Sequence, residues 1–407
     1  MTSLPSATYD VASVRAQFPA LEEGAAHFDG PGGTQVPVQV AEAVARTLTS
    51  AISNRSPLTT ASRRAEEVVQ ECRQALADLL GTGPEQIAFG RSATQLTYSL
   101  ATTLSRRWGA GDEVVVTRLD HDANIRPWVQ AAEAAGATVR WAEFDRDTGE
   151  LRLEHVQAVI GDQTRLVALT GASNLLGTCP DVPAISAAVH ELGALVCVDA
   201  VHLAPHAVIS LQDLGADLLT CSPYKFLGPH CGVLAGDQAL LEDLHPDKLL
   251  PSSDDVPERF ELGTLPYELM AGTTAAVDVL AGLAPGAAAQ GTRRERLVAS
   301  MTALAEHEDA LVQRLDEGLQ RLPGVTSYGS AARRTPTRLF DVAGRTGQEV
   351  ASALAAEGVN APAGSFYALE ASRWLGLGDT GAVRAGMAPY TDEEDVDRLL
   401  AGVRRLC

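Results

Sequence analysis

Near the middle of the chain an acid, a serine and a lysine are spaced as a ligand cleft would need them. Asp199 closes the short apolar run Leu195–Val198, and His202 follows it. A second run, Leu218–Thr220, leads into Cys221-Ser222-Pro223-Tyr224-Lys225, and a third, Val233–Ala235, comes after the turn Gly228-Pro229-His230-Cys231-Gly232. Runs this short and without alternation predict strands buried on both faces of a parallel or mixed sheet. Open α/β sheets bind ligands just beyond the strand carboxyl ends, which is where Asp199 and Lys225 then stand. Taken singly, an aspartate there caps a loop and a lysine is a surface residue. Taken as one pattern, Asp-x-x-His followed by Ser-x-x-Lys-x-x-Gly-Pro points to shared chemistry.

That chemistry suits pyridoxal phosphate. Its aldehyde condenses with a lysine amine, and an acid facing the pyridine nitrogen keeps the ring protonated as an electron sink. Ser222, just before Lys225, is placed to donate to the phosphate. A second anion site is predicted where the strand Ile87–Phe89 gives way to Gly90-Arg91-Ser92-Ala93-Thr94 and a helix running to about Leu104. Unpaired N–H groups point outward at such a helix start, so Ala93 and Thr94 are phosphate candidates, with Ser92 as an ordinary N-cap in the same turn.

These motifs resemble the class V aminotransferase family of pyridoxal phosphate enzymes, and within it the cysteine desulfurase-like branch. The resemblance runs from about Phe28 to Leu400. It implies an α/β protein of the pyridoxal-phosphate-dependent transferase type (fold type I). A large domain with a mostly parallel seven-stranded sheet would be joined by a smaller α+β C-terminal domain. The expected partition is an N-terminal arm over 1–24, the cofactor-binding domain over 25–257 and the small domain over 258–407.

The resemblance also assigns residues that composition alone would leave as loop positions. His121, in Asp120-His121-Asp122, would stack on the pyridine ring, and Asn174 would face the phenolic oxygen. Arg384 would grip the substrate carboxylate by a two-bond fork. Thr264, in Gly263-Thr264, would reach the cofactor phosphate of a neighbouring subunit, which implies a homodimer with shared active sites. Lys225, His121 and Asp199 are the expected catalytic groups, with His202 among the cofactor contacts. Asn54 and Tyr367 join Arg384 as substrate contacts. Where the desulfurase branch carries a histidine-cysteine loop, this chain reads Ala363-Gly364-Ser365-Phe366-Tyr367-Ala368, and no cysteine lies between Cys231 and Cys407. Persulfide relay through that loop is therefore not expected, and Cys231, on a tight turn, reads as packing.

The periodicity around these residues supplies the frame. Helices are predicted over Gln39–Ile52, Ser62–Leu80, Pro183–Leu192, Glu268–Gly282, Gly291–Leu322 and Asp392–Leu406. Strands are predicted over Glu113–Thr117, Val139–Phe144, Leu166–Leu169, Thr337–Asp341 and Ala382–Ala388. Composition bounds the rest: 45% hydrophobic and 21% charged residues are globular values. Thirty-two basic against fifty-two acidic residues argue against nucleic acid or an anionic membrane as partner. Cysteine spacing fits no zinc pattern, and no apolar stretch of signal or spanning length is seen, so a reducing cytoplasm is expected. The expected reaction is loss of a β-substituent such as sulfur from an amino acid. Transamination and epimerisation are the alternatives on the same scaffold, and a cofactor-binding protein without catalysis is a third class.

Overall fold

The computed structural model describes residues 9–284, 286 and 289–407. The strands in chain order are β1 (Ala26–His27), β2 (Ile87–Gly90), β3 (Glu113–Thr117), β4 (Thr138–Ala142), β5 (Thr164–Thr170), β6 (Leu195–Asp199) and β7 (Leu218–Cys221). They continue with β8 (Gly232–Gly236), β9 (Val325–Tyr328), β10 (Thr337–Val342), β11 (Val359–Asn360), β12 (Ala363–Gly364) and β13 (Ala382–Gly386).

Seven of them form one sheet in the order β2-β8-β7-β6-β5-β3-β4. Strands β3 to β7 run parallel, and β8 is antiparallel to both of its neighbours, β7 and β2. The fold is thus the α/β architecture expected, with a mostly parallel seven-stranded sheet. Its inner strands read as largely apolar runs because each face is covered, while the edge strand β4 keeps alternating exposed positions. Val114 and Val116 of β3 pack with the helices Ala93–Ser105 and Arg126–Ala135, while Val115 joins the opposite core with the helices Thr60–Leu80 and Tyr267–Ala281. Burial on both sides removes the polar alternation that a one-faced sheet would show.

The strand ends decide the site. Strands β2, β3, β5, β6 and β7 all direct their carboxyl ends to the same edge, and each is followed there by a loop or helix start. Asp199, the last residue of β6, lies opposite Thr170 of β5 and Thr220 of β7.

The smaller layer is the antiparallel sheet β12-β13-β10-β9, covered by the helices Gly347–Ala356 and Glu393–Arg404. Its packing divides the chain differently from the expected 25–257 and 258–407. Helix Tyr267–Ala281 and the first part of helix Arg293–Gln320 (Leu297, Met301, Leu304) bury their apolar side chains in the large core. Leu311, Leu315 and Leu319, further along the same helix, belong to the small core. At the other end Ala26 and Phe28 also belong to the small core, because β1 pairs in parallel with β11. Of the expected N-terminal arm, residues 1–8 lie outside the described residues, and the remainder contains the short helix Val11–Arg15. Among the described residues no helix is long and apolar enough to cross a membrane.

Candidate active site

A cavity of about 630 Å³ opens at the carboxyl edge of the large sheet, within the usual range for small-molecule sites. Ala93, Thr94, His121, Asn174, Asp199, His202, Ser222, Lys225, Tyr367 and Arg384 all line it. Asn54 and Thr264 do not line it within one chain. Both are exposed, and Arg55 beside Asn54 is tied to Glu66 (2.7 Å) and Glu258 (3.1 Å), which holds that loop on the outer surface.

Lys225 ends the turn Pro223–Lys225 that follows β7 and is 9% exposed. Its Nζ donates to the Pro31 carbonyl. Burial, with help from the Arg384 charge, pushes its amine down to about 8, and Asp29 and Asp199 oppose that shift. Lys225 and Lys248 are the only lysines in the sequence, and Lys248 sits outside the cavity, paired with Asp254 at 3.0 Å. Asp199 is 8% exposed, and burial pushes its acid up to about 6, resisted by the Val201 N–H that donates to Oδ1 (2.9 Å) and by Lys225.

His121 caps the turn Asp122–Asn124, and its Nδ1 accepts from the Ala123 N–H at 3.0 Å. The proton of the neutral ring therefore sits on Nε2. Burial, then Lys225, pushes this imidazole down to about 4, so it is neutral across the physiological range. The turn beneath it is fixed by Asp120, fully buried, which accepts from the Asn124 amide (2.7 Å) and the Thr117 hydroxyl. Sequence reading passed over Asp120, whose position directly before the histidine was the available signal. His202 is buried. Its Nε2 lies 2.9 Å from the Thr335 hydroxyl and 3.0 Å from that of Thr337, while Nδ1 has no partner. Asn174 donates through Nδ2 to the Phe366 carbonyl (2.9 Å), and its Oδ1 is buried without a partner. That bond occupies one hydrogen of the amide expected to face the phenolic oxygen.

The helix Ala93–Ser105 begins at this edge, its N-cap Ser92 accepting from Gln95. Helix starts leave several N–H groups unpaired, and Ala93 and Thr94 present them to the cavity. Strand β8 crowds this turn. A Cβ on Gly232 would lie 2.3 Å from the Ser92 carbonyl carbon, so only glycine fits there. Across the cavity Arg384 of β13 is 1% exposed. It donates to the Asn174 carbonyl (3.0 Å) and to Asp29 (2.6 Å), and lies 3.7 Å over the Phe366 ring. Tyr367 stacks on His121 with ring centroids 5.4 Å apart. Phe366 and Tyr367 both take the left-handed conformation (φ 52° and 60°), a costly choice for side-chain-bearing residues. The bonds of Asn174 to the Phe366 carbonyl and of the Asp122 N–H to the Tyr367 carbonyl (2.7 Å) hold them there.

Comparison with known proteins places this arrangement. The pattern of the aminotransferase class-V family matches residues 26–399. The chain belongs to the class-V aminotransferase family. Within that family it is similar to a probable cysteine desulfurase of Staphylococcus epidermidis, 30% identical over 98% of this chain and 97% of that one. It is also similar to an aminotransferase-like protein of Gibberella zeae, 32% identical over 98% and 99%. Among solved structures, an apo cysteine desulfurase from Thermococcus onnurineus superposes with a TM-score of 0.87 at 26% identity, covering 100% of this chain and 99% of that one. The cysteine desulfurase-like members of the class-V family are pyridoxal phosphate enzymes, and this chain is one of that kind.

Proposed function

We propose that this enzyme expels a β-substituent, in the first instance sulfur, from an amino acid without a protein thiol as carrier. The observation that carries this reading is the cavity lining. Lys225, Asp199 and Arg384 converge there, while among the described residues no cysteine does. Cys231 is buried elsewhere, 3.7 Å from the Thr273 hydroxyl, and burial pushes its thiol up to about 11. A thiol so placed is neither ionised nor able to reach a substrate. Cys231→Ala is accordingly expected to leave sulfide release unchanged, and a loss of release in that variant would contradict the reading.

The residues fit pyridoxal phosphate. Ala93, Thr94 and the Ser222 hydroxyl, which caps nothing of its own, form a cradle for its phosphate. Buried atoms lacking partners, His202 Nδ1 and Asn174 Oδ1, border the same space, as a bound polar group would require. Asp199, protonated more readily than usual when no cation is near, would regain its charge against a protonated ring nitrogen. Bound there, the cofactor supplies the electron sink for charge left at the substrate α-carbon.

The chain's own residues then divide the work. Asp199 would hold the proton on the ring nitrogen. Lys225 would hold the cofactor's aldehyde and, with its amine free, would move the α-proton at Nζ, for which an amine pushed down to about 8 is well matched. His121 covers one face of the site and donates only through Nε2. Arg384 fixes the substrate carboxylate, and Tyr367 with Phe366 closes the mouth. Arg384→Lys removes the fork while keeping the charge. It is expected to raise KM by about 10- to 100-fold, with a smaller effect on kcat, in steady-state assays.

Product analysis of the holoenzyme with L-cysteine tests the reaction. Sulfide, ammonia and a keto acid are expected with no added acceptor, and absolute dependence on a keto acid would overturn elimination. The 32% identity to an aminotransferase-like protein favours transamination as the second reading, and that dependence is its signature.

A further inference from the structure

The Arg384 guanidinium is already paired, and its partner comes from the other end of the chain. Asp29, in the glycine-rich loop after β1, places Oδ1 2.6 Å from Arg384 Nη2. The two ends of this ion pair differ sharply: the Arg384 side chain is 2% exposed and that of Asp29 46%. A guanidinium buried to that degree is costly without an anion beside it. Asp29 is the one carboxylate with which Arg384 forms an ion pair among the described residues.

The geometry of the fork adds a conflict. A carboxylate can be held by two parallel bonds through Nε with Nη2, or through Nη1 with Nη2. Nη1 is directed to the Asn174 carbonyl, and Nε, although without a partner, is shielded from solvent, so a ligand that takes either fork must reach Nη2. Both forks use Nη2, where Asp29 sits. An incoming carboxylate must displace Asp29 or lie against it, and two like charges at that separation repel strongly.

The backbone beneath Asp29 does not need to move for this. The Gly386 N–H donates to the Phe28 carbonyl (2.8 Å), and the Gly32 and Gly33 N–H groups donate to the Asp29 carbonyl (2.8 and 3.0 Å). Room for the side chain is kept by Gly32, where a Cβ would sit 2.3 Å from the carboxylate. We infer that Asp29 is the resident counter-ion of Arg384 and sets the enzyme's affinity for the substrate carboxylate by being displaced from it. This rests on the reading of Arg384 as the carboxylate anchor. It makes Asp29 a specificity-determining residue: ligands must bring a carboxylate able to replace it, and neutral amines or amides gain nothing from the exchange.

Calorimetric titration of the holoenzyme with acetate, which has the carboxylate but no amine to react, tests this. Asp29→Asn is expected to bind acetate at least about tenfold more tightly than wild type, the scale of one like-charge contact removed. KM for the amino acid substrate should fall with it, while the visible spectrum of the bound cofactor stays the same. Asp29→Glu keeps the charge and should stay near wild type, so charge is separated from shape. Equal or weaker acetate binding by Asp29→Asn, or no acetate binding by either protein, would overturn the inference and leave Asp29 as a residue that merely orients Arg384. Undiminished acetate binding by Arg384→Ala would instead refute the anchor reading beneath it. Should Asp29→Asn melt well below wild type, Asp29→Ser takes its place in the titration, with tighter acetate binding expected and equal or weaker binding overturning the inference.

Discussion

Lys225→Ala is expected to reduce turnover by about 10⁴-fold or more and to leave pyridoxal phosphate bound only non-covalently, dissociating on dialysis. The expectation follows from two roles resting on one atom. Nζ is the only amine lining the cavity among the described residues, and the proposed function assigns it both the covalent anchor and the base at the α-carbon. Loss of a general base alone costs about 10²- to 10⁴-fold, and loss of the anchor adds to it. The same atom predicts a pH dependence. An amine pushed down to about 8 is increasingly neutral as pH rises through that value. Capture of pyridoxal phosphate by the apoprotein, followed by absorbance, should therefore quicken up to about pH 8–9 and then level off. A rate still climbing toward the 10.5 of an unperturbed lysine would show that burial does not act as described.

Asp199→Asn is expected to lower turnover by about 10³-fold while leaving the cofactor on Lys225, because an amide cannot balance a charged ring nitrogen. Its effect on the apoprotein has the opposite sign. The folded-state acid is raised to about 6 from 3.8, so between those values the unfolded chain releases its proton first and stability falls as pH rises through about 4 to 6. At neutral pH the buried carboxylate then costs up to about 3 kcal/mol. The asparagine variant of the apoprotein should melt higher than wild type at pH 7 and show no such gain at pH 4. Equal melting at both values would remove Asp199 from the role of a buried acid awaiting a cation.

The large sheet was legible because its strands are short, apolar and separated by glycine-bearing turns. Glu113–Thr117 falls where predicted, and the other six strands differ only at their ends. What periodicity could not supply was direction. Strand β8 is antiparallel because only a loop, the one carrying Lys225, separates it from β7, with no crossover helix between them. Packing that crosses the expected boundary was hidden for a related reason. The polar, proline-rich stretch before Pro257 suggests a linker, yet Tyr267–Ala281 returns to the large core, and its burial there has no signature beyond that of any apolar helix.

Within the site, Lys225, Asp199 and Ser222 were readable from local pattern, and the two-lysine sequence would have strengthened Lys225 further. Arg384 needed the family resemblance, since a strand arginine has no local signal. Asp29 needed the fold, because it lies 355 residues from its partner.

The central claim is that Lys225 holds the cofactor's aldehyde. Borohydride reduction of the purified holoprotein, followed by peptide mapping, tests it directly, and with Lys248 as the sole other lysine the assignment is unambiguous. The account predicts the reduced cofactor on the peptide containing Lys225; label on Lys248 alone, or on neither lysine, would contradict it.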